Sequence, residues 1–212
     1  MAKRRSKIRS LLHGIFVLAL LLLIGAATVG ILSLLTETNE QIDEKLYFPK
    51  DEAHPEQLKY ADLVESASRE FGVEEAVIYA VIYCESNFKA DAVSSVGARG
   101  LMQMMPATFR EMQGYLGETY DDDALFEPQV SIRYGTYYLS RMYDRFGDWE
   151  IAFAAYNAGP TAVSKWLKDD KYSKDGKLVQ IPYPETENYV KKVTGMVEKY
   201  KEYYPTEVQN DT

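Results

Sequence analysis

The chain has 212 residues but only one cysteine and two histidines. A single cysteine, Cys84, allows no disulfide within the chain. Neither His13 nor His54 lies near Cys84 in sequence, so a cysteine nucleophile with a histidine partner is a poor reading. Three such residues are also too few for a zinc site. Cys84 therefore reads as a small buried hydrophobe. Negative charge is missing from residues 1–36, which hold five Lys/Arg and no Asp/Glu. The remainder carries 19 basic and 32 acidic residues, a net of −13. Such a surface repels nucleic acid, and it repels anionic wall polymers as well. The one run of acids, Asp121-Asp122-Asp123, lacks the alternating oxygen ligands and the glycine of a calcium loop. It reads as a solvated loop. No metal and no cofactor is expected.

Charge is missing altogether from residues 11–35, apart from His13. As a helix this segment of 25 residues would span about 37 Å, more than the roughly 30 Å hydrocarbon core of a bilayer. Lys3, Arg4, Arg5, Lys7 and Arg9 precede it and favour a cytoplasmic N-terminus with the rest exported. The rival reading is a cleaved signal peptide, with Gly25-Ala26-Ala27-Thr28 as the cleavage region, but the apolar run continues past it to Leu35. An uncleaved, single-pass anchor in the cell membrane is favoured. Residues 1–10 are then cytoplasmic, 11–35 the span, 36–56 a polar spacer, 57–204 an extracytoplasmic domain and 205–212 a tail.

That domain is predicted to be mostly helical. Leu58, Ala61, Leu63, Val64 and Ala67 suit an amphipathic helix ending before Gly72. A second helix starts near Glu74 and stops at Asn87, and residues 89–100 are irregular or a small hairpin. Pro106 and Pro128 each open a helix as its first residue, the second running to Phe146. Its stripe is Ile132, Gly135, Tyr138, Leu139 and Met142. An alanine-rich helix over 149–156 ends at Asn157 and Gly159, and Pro160 starts another. Residues 168–184 form a polar loop. A closing helix over 185–203 turns Val190, Val193, Met196 and Val197 inward. The 17 tyrosines are expected to divide between core and a sugar-binding cleft.

The second helix carries one acid, Glu85. Ile78, Val81 and Ile82 precede it by seven, four and three residues, so they share its face. A carboxyl on such a face loses water, and that raises its pKa. The negative end of the helix dipole acts in the same direction. Glu85 therefore reads as a carboxyl held protonated near neutral pH, as a general acid must be. Downstream, Ser94-Ser95-Val96-Gly97-Ala98-Arg99-Gly100 is a loop of small residues suited to a ligand lying against backbone. It leads into Leu101-Met102-Gln103-Met104-Met105-Pro106.

Glu85-Ser86, Gly97-Ala98-Arg99-Gly100-Leu101-Met102-Gln103, Ala155-Tyr156-Asn157-Ala158-Gly159-Pro160 and Glu185-Thr186-Glu187-Asn188-Tyr189-Val190 occur in this order. Together they resemble the soluble-lytic-transglycosylase family of peptidoglycan enzymes. The resemblance covers roughly residues 58–203. It implies a lysozyme-like α+β fold, mostly helical, with a cleft between helices and a small β-rich loop region. It implies the β-1,4 bond between N-acetylmuramic acid and N-acetylglucosamine as substrate, with peptidoglycan glycan strands as the partner. By the family pattern Glu85 is the acid/base and Ser86 shapes its surroundings. Ser94, Met102 and Gln103 contact sugar, and Tyr156 and Asn157 stand opposite Glu85. Tyr189 hydrogen-bonds near the acid, and Glu185 lines the groove. One departure is Ser131, where family members often carry asparagine.

Most glycosidases use two carboxylates. Residues 92–110 contain no Asp or Glu, and Asp91 reads as a loop residue. One acid suffices if the muramyl 6-hydroxyl, rather than water, attacks the anomeric carbon and closes a 1,6-anhydro ring. A hydrolytic muramidase of the same fold is the alternative, with Glu185 as the second carboxylate. A non-catalytic wall-binding module is a further one.

Overall fold

The computed structural model describes residues 59–203, which lie in one compact unit. The expected cytoplasmic segment, membrane span, spacer and tail lie outside the described residues. Among the described residues no helix is long and apolar enough to cross a membrane.

Helix α1 (Ala61–Phe71) stops at Gly72, whose φ of 67° places it in the left-handed region. Helix α2 (Glu75–Ser86) is buried without a break from Ala76 to Ile82. A helix apolar all round must be surrounded, and α2 is the central element. Its main neighbour is the closing helix α7 (Pro184–Tyr203). There Tyr79 stacks on Tyr200 with ring centroids 5.6 Å apart. Asn87 ends α2 at φ 50°, donating its N–H to the Tyr83 carbonyl.

Helices α3 (Pro106–Leu116), α4 (Pro128–Phe146) and α6 (Pro160–Trp166) each begin on proline, whose missing N–H costs nothing in a first turn. A 3-10 turn (Asp122–Phe126) precedes α4. The acidic run is exposed at Asp121 and Asp123, and its side chains form surface pairs, Asp122 with Arg110 and Asp123 with Arg99. Helix α5 (Trp149–Ala158) is capped by Asp148, whose carboxylate accepts from the Ile151 N–H at 3.2 Å. It continues through Asn157, two residues beyond the expected end. α4 packs on α1 and α5, and α5 packs on α7.

Residues 89–100, expected to be irregular or a small hairpin, form no strand. Residues 93–104 contain only two isolated bridges, Val93 with Arg99 and Arg99 with Met104. Among the described residues the single sheet is a hairpin, β1 (Ser173–Lys174) and β2 (Lys177–Leu178), inside the expected polar loop. Its turn is Asp175-Gly176, both at positive φ, the pairing that a two-residue hairpin turn favours.

Candidate active site

Three helix ends and one loop meet at a cleft of about 350 Å³. The C-terminal end of α2 supplies Glu85, and that of α5 supplies Tyr156 and Asn157. The start of α7 supplies Glu185, and the loop before α3 supplies Ser94 and Gln103. Residues up to a hundred positions apart in sequence thus share one wall.

The loop is held by its own backbone and by small residues. Arg99 and Met104 exchange both N–H···O bonds, and the Ala98 N–H donates to the Ser94 hydroxyl at 3.0 Å. Gly100 has φ 77°, and a Cβ there would lie 1.9 Å from the Leu125 carbonyl oxygen, so only glycine fits. Gln103, at φ 47°, donates both amide N–H groups inward, to the carbonyls of Ala92 (3.0 Å) and Gly100 (2.9 Å). Its Oε1 remains as an acceptor on the cleft wall. Ser131 is fully buried, and its hydroxyl accepts from the Met102 N–H. The departure from asparagine there belongs to the loop's support and not to the cleft.

Glu85 is half-buried. Loss of water around its carboxyl pushes its pKa up to about 7, against opposing pulls from the Tyr189 hydroxyl and the Lys192 ammonium. The Tyr189 hydroxyl is buried and forms no bond of ordinary hydrogen-bond length and angle, but it lies close enough to Glu85 to favour the carboxylate. Tyr156 donates its hydroxyl to the Met102 carbonyl at 2.8 Å. Burial, then the neighbouring Glu85, push its pKa well above the usual tyrosine value. Asn157 is exposed, and its Oδ1 accepts from the buried Thr186 hydroxyl at 2.7 Å. That bond leaves the amide N–H groups as donors. The cleft therefore offers a protonatable carboxyl, one amide acceptor and one amide donor.

A model of the family described as the transglycosylase SLT domain matches residues 62–179, more than half of the chain. The chain belongs to this family. The chain is 36% identical over 165 residues to the soluble lytic murein transglycosylase of Salmonella typhimurium, covering 76% of this chain and 25% of that protein. It is 30% identical to the membrane-bound lytic murein transglycosylase C of Actinobacillus pleuropneumoniae, covering 67% of this chain and 46% of that one. Among solved structures it resembles an inactive mutant of the lytic transglycosylase Slt from Pseudomonas aeruginosa. The TM-score is 0.63 at 36% identity, covering 69% of this chain and 24% of that one. The chain thus spans about a quarter of the length of the soluble relatives and under half of the membrane-bound one.

Three expected site residues do not line the cleft: Tyr189, whose hydroxyl is buried beside Glu85, and Ser86 and Met102. Ser86 is buried and donates to the Ile82 carbonyl at 3.1 Å, so its hydroxyl serves the helix end. Met102 is fully buried against Gly135, and only its backbone carbonyl reaches the site, through Tyr156. The methionine exposed in the cleft is Met105, which the run Met102-Gln103-Met104-Met105 did not single out. The helical stripe of α4 predicts a core position for Tyr138. Tyr138 lines the cleft instead, its ring 5.3 Å from that of Tyr156. Cys84 is partly buried, and burial pushes its thiol up to about 12, which removes it as a nucleophile.

Proposed function

We propose that this chain is a membrane-anchored lytic transglycosylase that cleaves the β-1,4 bond between N-acetylmuramic acid and N-acetylglucosamine, leaving 1,6-anhydromuramyl ends. The observation that carries this reading is one desolvated carboxyl in the cleft, Glu85, with a pKa of about 7 and no neighbouring carboxylate among the groups that shift it. Glu85 donates its proton to the bridging oxygen as the C1–O bond breaks. The muramyl 6-hydroxyl attacks C1 and forms the new C1–O6 bond. The Glu85 carboxylate takes the proton released from that hydroxyl. No water is added. Attack from within the same sugar supplies an effective concentration of roughly 10⁵ M or more, so a second activating carboxylate is unnecessary. Gln103 and Asn157 hold N-acetyl groups, Ser94 and Met105 add contact, and Tyr156 and Tyr189 shape the surroundings of the acid. Two names among the relatives support the activity, and the inactive Pseudomonas variant carries glutamine in place of one glutamate.

The anchor at residues 11–35 rests on the apolar run and the basic cluster before it, and on the membrane-bound relative. The domain at 57–204 would then act outside the cytoplasmic membrane. One observation favours hydrolysis: Glu185 lines the same cleft as Glu85. It is exposed on the first turn of α7 and does not contribute to the raised pKa of Glu85, as a paired carboxylate would. A mass spectrum of products from purified wall decides between the two. Transglycosylase products are lighter by one water and resist borohydride. Reducible muramic acid ends as the main product would replace this reading with the muramidase.

A further inference from the structure

A basic lobe stands out from an acidic chain. Residues 165–177 hold five lysines and three aspartates, although the whole chain carries 24 bases and 32 acids. Lys165, Lys168, Lys171, Lys174 and Lys177 are all exposed. Among the described residues none of the five has a carboxylate within 4.0 Å. By contrast, Lys191 and Lys201 on α7 both pair with glutamates.

The hairpin fixes where two of these charges point. In its register Lys174 faces Lys177, and Ser173 faces Leu178. Residues directly opposite in a ladder share a face. Ser173 is buried, and its hydroxyl donates to the Leu167 carbonyl at 2.8 Å, which ties that face to the end of α6. Lys174 and Lys177 therefore stand together on the outward face. Like charges directly opposite each other destabilise a strand pair, so the fold gains nothing from this pairing. Two of the three aspartates serve turns. Asp169 accepts the Lys171 N–H on its carboxylate and the Tyr172 and Ser173 N–H groups on its carbonyl. Asp175 occupies the hairpin turn at φ 52°. Asp148 and Glu150 line a cavity of about 330 Å³ with Lys177 but do not pair with it, and the Asp148 carboxylate already caps α5.

Apolar groups are exposed beside the lysines. Val179 is 61% exposed and Tyr183 53%. The Val179 N–H donates to the Tyr172 carbonyl at 2.9 Å, which continues the hairpin. The Tyr183 ring meets Trp166 edge-on, with centroids 5.0 Å apart. This combination matches the headgroup boundary of a bilayer. There an apolar side chain leaves water, a tyrosine ring sits at the edge and lysine ammoniums reach phosphate oxygens. A water-soluble phosphate polymer would engage the lysines and leave Val179 in water.

We propose that this lobe docks on an anionic phospholipid surface, with the lysines on headgroup phosphates and Val179 and Tyr183 at the acyl boundary. The proposal rests on the anchor reading, which keeps a bilayer close enough for a small patch to act. Glu185 lies two residues beyond Tyr183 and lines the cleft that holds Glu85. Docking thus brings the cleft to the membrane surface and directs cleavage to glycan lying next to it.

The test is hydrogen exchange of the full-length protein in lipid nanodiscs, neutral phosphatidylcholine against discs that also contain phosphatidylglycerol. Amides across residues 171–183 should exchange on the order of fivefold or more slower in the anionic discs, and the difference should shrink at high salt. Lys174→Gln with Lys177→Gln should remove most of the slowing, and Val179→Ser part of it. Unchanged melting of the double variant excludes a folding defect, and Lys177→Gln alone repeats the test should the double variant melt early. Equal exchange in the two discs, or slowing that survives the lysine substitutions, overturns the proposal. Slowing of the same size by soluble poly(glycerol phosphate) in neutral discs also overturns it and makes the partner a wall polymer. A protein that stays out of neutral discs refutes the anchor instead. Flotation of that soluble protein with neutral and anionic vesicles then reads the lobe by itself: binding to anionic vesicles that the double variant loses supports docking, and equal flotation overturns it.

Discussion

Glu85→Gln should abolish turnover and, at the same time, stabilise the protein above neutral pH. The carboxyl titrates near 4.5 in the unfolded chain and near 7 in the folded one, because folding removes its water. Below pH 4.5 both states are protonated and the acid costs no more than the amide. Between 4.5 and 7 the folded state holds a proton that the unfolded state has released, so wild-type stability falls as pH rises. Above 7 both are ionised and the full penalty stands. At about 1.4 kcal/mol per pH unit, the gap between 4.5 and 7 corresponds to about 3 kcal/mol. Glutamine has nearly the same shape and no charge, so it escapes that penalty. For a chain of this size each kcal/mol moves the melting midpoint by roughly 2–4 °C. The assay is a pair of thermal melts at pH 4 and pH 8 on wild type and variant, with turnover measured alongside. The midpoints should coincide at pH 4 and the variant should melt higher at pH 8. Turnover should drop by at least the roughly 10²–10⁴-fold of general acid–base catalysis. Equal midpoints at both pH values would refute the desolvated acid. So would wild-type activity that stays level well above pH 7, where the acid form should fall about tenfold per pH unit.

Gly135→Ala should destabilise the domain by about 1–3 kcal/mol in denaturant titration, since its Cβ would sit 2.5 Å from the Met102 sulfur. Met102→Ala should cost about 2–5 kcal/mol of stability, whereas Met105→Ala should leave melting unchanged and raise KM; the reverse pattern would return Met102 to the cleft wall. Thr186→Val removes the bond that orients Asn157 and should lower turnover while costing about 1 kcal/mol in stability, and full turnover would show that the amide needs no orientation. Lys192→Gln removes a pull toward the carboxylate, so the alkaline limb of the pH–rate profile should move to higher pH; a shift to lower pH would contradict the assigned sign.

Several features of this protein follow from its sequence because their causes are local. Proline at 106, 128 and 160 presets φ and lacks only an N–H that a first turn does not use, so three helix starts are legible. Gly72, Asn87 and Gly147 stop helices at positive φ. The unbroken apolar run of α2 announces a surrounded helix, and Glu85 at its end announces a desolvated acid. The Asp175-Gly176 turn was equally local, but it lies in a polar stretch whose composition pointed to a loop. What required the tertiary structure is which side chains meet. In the irregular loop before α3 no periodicity relates sequence position to side-chain direction, so Met102 and Met105 could not be told apart until the loop packed on Gly135. Tyr138 lies in a helical stripe that turns from core to cleft only because α5 ends beside it. Arg141 and Arg145 look in sequence like ordinary bases at a helix end. That neither has a carboxylate within 4.0 Å among the described residues depends on where Glu111 and Asp144 fall after α3 and α4 have packed. Contacts between distant segments depend on the relative placement of whole helices, which local backbone preferences do not encode.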